Sequence, residues 1–96
     1  MPQPHPSPEQ AVAFGERLRA ARSELGLSQE KVAQAAGISL QHLSLLERGL
    51  SDQTKRSPAN PRLGVLLGLA TALRVDVAHL VEPLRTEYNP HQHGPD

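Results

Sequence analysis

Cysteine and tryptophan are absent from this chain, and its aromatic side chains are Phe14 and Tyr88 alone. Without cysteine, neither a disulfide nor a thiolate metal site can reinforce the fold, which suits a reducing cytoplasm. Two aromatics are too few for the stacking platforms that grip single-stranded nucleic acid. No apolar run approaches the roughly 20 residues of a membrane helix. A basic start followed by an apolar stretch, the mark of a secretory signal, is missing too. The expectation is a soluble, cytoplasmic protein with no membrane partner. Net charge is also lacking: ten Lys and Arg balance ten Asp and Glu. That argues against a nonspecific coater of nucleic acid, which is normally basic overall.

What charge there is lies unevenly. Between Arg48 and Arg62 the cations Arg48, Lys55, Arg56 and Arg62 face only Asp52, a net +3. One basic segment in a neutral chain suits a partner touched through a single face. At 96 residues the chain has enough apolar surface for one core and not for two. Residues 1–7, with proline at alternate positions, read as a mobile tail. The folded domain is expected over 8–85, and 86–96 as a second flexible tail.

Within that domain the start and stop signals mark five helices and no strand, an all-α fold. Ser7-Pro8-Glu9-Gln10 reads as a capping box with proline at the first helical position. A first helix follows over 8–25, with Phe14, Leu18, Ala21 and Leu25 along one buried stripe. Asn60-Pro61 restarts a helix over 61–73, with Leu63, Leu66, Leu67, Ala70 and Leu73 on its inner face. Asp76 caps a last helix over 77–82 that Pro83 ends, with Val77, Leu80 and Val81 inward.

Two short helices lie between, over 29–36 and 40–48. Ser28 and Ser39 can accept the unpaired amide hydrogens of their first turns. Gly37 and Gly49 supply the positive φ that ends each helix cheaply. Val32, Ala33 and Ala36 face inward from one, Leu43 and Leu46 from the other. Two helices joined by a tight glycine turn present one helix end to a DNA groove. Neither is long enough to stand alone in water, so the other helices must support them.

These residues resemble the Cro/C1-type, or XRE, helix-turn-helix family of phage repressors and bacterial regulators. The resemblance spans roughly Phe14 to Val81. It rests on Arg22, Gly26-Leu27-Ser28-Gln29, Val32-Ala33, Ala36-Gly37-Ile38-Ser39, Leu46-Glu47-Arg48-Gly49, and Leu66-Leu67 through Ala70 and Leu73 to Val75. It implies a compact five-helix, lambda-repressor-like domain with the helix-turn-helix at helices 2 and 3. It further implies a sequence-specific double-stranded-DNA-binding transcriptional regulator, acting as a homodimer on a palindromic operator.

Position by position, the resemblance assigns Gln29 to a DNA phosphate and to bracing the third helix. It assigns Arg22 and Glu47 to an ion pair between the first and third helices. Base readout falls to Ser39, Leu40, Gln41, Ser44 and Leu45, with Gln41 able to pair bidentately with adenine. Leu40 and Leu45 depart from the polar choices of relatives; they suit thymine methyl groups or a protein partner. Arg48, His42, and Lys55 and Arg56 in a loop about eight residues longer than the family pattern are further phosphate candidates. Gly64, Val65 and Gly68 replace residues that are polar in relatives. Their small size suggests a dimer seam, or a face over which Leu84–Tyr88 folds.

No nucleophile–base pair, paired carboxylates or phosphate-cradling loop is visible, so an enzyme is not expected. Neither a cofactor nor a metal is expected, since His5, His91 and His93 lie in the tails without a ligand scaffold. Two other readings compete with the regulator. One is an antitoxin that represses its own operon and masks a toxin. The other is a protein-interaction adaptor that uses the same fold without reading bases, which Leu40, Leu45 and the zero net charge would suit.

Overall fold

Serine precedes each of the first three helices, and each hydroxyl accepts an amide hydrogen of the turn it opens. Ser7 Oγ accepts from Gln10 at 3.1 Å, Ser28 Oγ from Lys31 at 3.1 Å and Ser39 Oγ from His42 at 2.9 Å. At Ser7 the box is complete, because the Gln10 side chain accepts from the Ser7 amide at 2.9 Å. The computed structural model of the chain describes residues 5–51 and 57–84. Its helices are α1 (Pro8–Leu25), α2 (Gln29–Ala36), α3 (Leu40–Glu47), α4 (Leu63–Leu73) and α5 (Val77–Val81), followed by a 3₁₀ turn at Glu82–Leu84. Gly26 and Gly37, both left-handed, close α1 and α2, and left-handed Gly49 follows α3.

All five helices contribute to one core. Ala11, Phe14, Leu18 and Ala21 of α1 meet Val32 and Ala33 of α2, Leu43 and Leu46 of α3, Leu69, Ala70 and Leu73 of α4, and Leu80 of α5. The α1 stripe begins one turn earlier than its spacing suggested, at Ala11, and Leu25 is exposed in the last turn. Pro6, expected within a mobile tail over 1–7, is buried beside the start of α1. Met1–Pro4, Lys55, Arg56, Tyr88, His91 and His93 lie outside the described residues. No single described helix is long and apolar enough to cross a membrane.

Helix α4 departs most from expectation. Its cap residue is Arg62, with no side-chain bond to the first turn, where Asn60-Pro61 was expected to open the helix. The cause is upstream. The Ala59 amide donates to the Gly49 carbonyl at 2.9 Å and the Ser51 amide to Ser57 at 2.9 Å. This short antiparallel pairing draws out the chain on either side of residues 52–56, and buried Ala59 anchors it. Asp76 likewise occupies the cap position of α5 without a side-chain bond.

The face that α4 buries is rotated as well. Leu69 is fully buried, whereas Leu63 and Leu67, expected inside, are 67% and 48% exposed. With Leu63, Leu66, Leu67, Leu69 and Leu73 spread around it, the helix has no polar face to orient it from pattern alone. Gly68 settles the choice. A Cβ there would sit 2.5 Å from the Ala36 carbonyl oxygen, so only glycine lets α4 approach the end of α2 so closely. Gly68 is therefore an intramolecular contact and not part of an outer seam. Val65 also packs against the core. Of the three seam candidates, Gly64 alone faces open space.

Candidate nucleic-acid interface

The C-terminal end of α3 is held by a carboxylate. Glu47 is 3% exposed, and a buried carboxylate is costly unless charge and hydrogen bonds compensate it. Arg22 of α1 supplies both, donating from Nε to Oε2 at 2.7 Å and from Nη2 to Oε1 at 3.0 Å. This two-pronged geometry is the strong form of the arginine–carboxylate pair. The hydrogen bond that Arg22 donates to Glu47 raises the Arg22 pKa against the lowering effect of burial, and Coulombic attraction adds to the rise. A raised arginine pKa keeps its stabilisation intact below the unfolded value and loses it only as pH climbs through the folded one. Across ordinary pH the cation stays charged.

Two more segments join this cluster. Gln29, the first residue of α2, donates from Nε2 to Glu47 Oε1 at 2.9 Å. The remaining Arg22 nitrogen, Nη1, donates to the Leu27 carbonyl at 3.0 Å in the turn before α2. Arg19, one turn before Arg22, donates to the Glu47 backbone carbonyl at 3.4 Å and brings Nε to 3.9 Å from Oε1. Among the described residues no buried side-chain polar atom lacks a partner. Glu47 thus ties α3 to α1 and to the start of α2, and Arg22 extends the link to the α1–α2 turn.

The other end of α3 is open to solvent. Ser39, Leu40 and Gln41 are exposed and Ser44, one turn on, is half-buried, as is His42. Leu40 keeps 48% of its surface exposed. Arg48, just past the helix, is exposed. Leu45 does not belong to this surface, contrary to expectation. It is 8% exposed, and Leu50 returns over the same turn, its amide donating to the Leu45 carbonyl at 2.8 Å. A side chain so covered offers nothing to a base edge, so Leu45 is structural.

A model of the helix-turn-helix domain matches residues 13–84, three-quarters of the chain and all five helices but for the first turn of α1. The chain belongs to the XRE/Cro/C1-type helix-turn-helix family. It is similar to the restriction-modification controller protein C.AhdI from Aeromonas hydrophila, at 36% identity and a TM-score of 0.64, over 75% of this chain and 97% of that one. It is also similar to SinR, a master regulator for biofilm formation solved in complex with DNA, at 29% identity and a TM-score of 0.59 over 71% and 97%. The P22 c2 repressor, solved with a synthetic operator, matches at 30% identity and a TM-score of 0.57 over 70% and 89%. A comparison with curated proteins gives no match.

Two residues of α1 that meet the buried end of α3 escaped the sequence reading. Arg19 carried a usable signal, lying three residues before Arg22 and so on the same face of α1. Gly15 carried one too, because glycine inside a helix is costly and implies a close neighbour. A Cβ at Gly15 would fall 2.5 Å from the Glu47 carbonyl oxygen and 2.6 Å from that of Leu46. Gly15 is what lets α1 and the buried end of α3 touch backbone to backbone.

Proposed function

We propose that this chain is a sequence-specific, double-stranded-DNA-binding transcriptional regulator that acts as a dimer. The observation that carries the proposal is the polarity of α3, anchored at Glu47 and exposed from Ser39 to Gln41. In this motif the N-terminal residues of the recognition helix meet base edges in the major groove. Ser39, Leu40, Gln41 and Ser44 are the proposed reading residues. Gln41 carries an amide that can pair bidentately with adenine, worth about 1–3 kcal/mol of discrimination.

Gln29 uses one amide hydrogen on Glu47, and its second is proposed to meet a phosphate together with Arg48 and His42. Such contacts position the protein without reading sequence. SinR and the P22 c2 repressor were each solved with DNA, and that supports the same partner here. One copy covers a half-site. A two-fold pair would set its α3 ends about 34 Å apart, one helical turn of DNA. The outward-facing Leu63 and Leu67, with open Gly64 beside them, are the surface proposed for that second copy.

Selection of genomic fragments with purified protein at moderate salt tests the reading. A palindromic motif, bound with an affinity that falls steeply as salt rises, is the expected result. No enrichment over bulk DNA would remove the proposal in favour of a protein-binding role.

A further inference from the structure

Four leucines lie on α3, and the structure divides them. Leu43 and Leu46 belong to the core and Leu45 is covered, whereas Leu40 joins no core cluster and stays half exposed. A single exposed leucine on an ordinary surface needs no explanation. This one stands between Ser39 and Gln41, at the first position of the helix that the preceding proposal places in the groove. We infer that Leu40 reads the 5-methyl group of a thymine, at a base pair beside the one that Gln41 contacts. The inference rests on the DNA-reading proposal and names the chemistry that one of its residues recognises.

Three physical points support it. Helical side chains lean toward the N-terminus of their helix, so Leu40 projects forward from the end that meets DNA. That end is firmly set, because the Ser39 hydroxyl holds the first turn through the His42 amide at 2.9 Å. The thymine methyl is the one apolar feature that a base pair displays in the major groove. Leucine has no donor or acceptor. Set against the cytosine amino group or the guanine oxygen, it would displace water and leave a polar atom unpaired. The same side chain therefore favours thymine and penalises the alternatives.

Deoxyuridine tests this cleanly, since replacing thymine removes the methyl and leaves every hydrogen-bonding group in place. The probe is a duplex recovered by the full chain from a random-sequence library, with its thymines replaced one at a time. At one thymine per half-site, the wild-type protein should bind about fourfold more weakly, the effect of one buried methyl group. Leu40→Ala should be indifferent to that replacement, and Leu40→Val should keep part of the loss. If deoxyuridine weakens wild type and Leu40→Ala equally, or weakens neither while both still prefer the duplex to a scrambled one, Leu40 is not the methyl reader. DNA reading would survive that result. If wild type shows no preference for any duplex, the DNA-reading proposal falls and the inference with it.

Discussion

The two ends of α3 are seven positions apart and live in opposite environments. At Glu47 the helix meets α1 and α2 through a carboxylate that Arg22, Gln29 and Arg19 surround. At Leu40 and Gln41 it is exposed. The contrast shows how a short helix, unstable alone, can present side chains with little positional freedom. The burial is concentrated at one end and the other is left exposed. It also divides the possible substitutions. Those at the anchored end should act on folding, and on binding only as a consequence. Those at the open end should act on binding alone.

The largest effect should come from the carboxylate itself. Glu47→Ala leaves Arg22 without its counter-charge, and stranding a partly buried ion costs about 3 kcal/mol, read as a drop in denaturation midpoint. Gly15→Ala should follow at about 2 kcal/mol, because its methyl group must push α1 off the Glu47 and Leu46 carbonyls. Gly64→Ala, a matched substitution in open space, should instead stabilise by up to about 1 kcal/mol. Arg19→Ala removes a contact from an exposed side chain at 3.9 Å and should cost less than about 1 kcal/mol. At the open end, Gln41→Ala should cost far less than Glu47→Ala, no more than one surface hydrogen bond, about 1 kcal/mol. A large loss of stability there would erase the contrast between the two ends.

How much of this could be read from residues alone depended on how local each signal was. Serine caps and left-handed glycines act within a turn, and they mark the bounds of α1, α2 and the start of α3 without help from the rest of the fold. The Glu47 cluster was accessible because a carboxylate at the end of an apolar helix face demands a cation, and the family resemblance pointed to Arg22. Helix α4 was opaque. An apolar helix has several faces that could go inward, and the contact that decides among them, Gly68 against Ala36, joins residues 32 positions apart. Leu45 was misplaced because its burial, to 8% exposure, is set by tertiary packing that the helix pattern alone does not show. Gly15 could have been found by the argument that was applied to Gly64 and Gly68.

The most direct test of the divided helix compares the DNA sequences recovered by the wild-type protein, Gln41→Ala and Gln29→Ala in one selection. Wild type should return a palindrome. Gln41→Ala should return the same motif relaxed at one base pair in each half-site, while Gln29→Ala should weaken every site alike and leave the motif intact. An unchanged motif from Gln41→Ala, with binding retained, would contradict the assignment of sequence reading to the open end of α3.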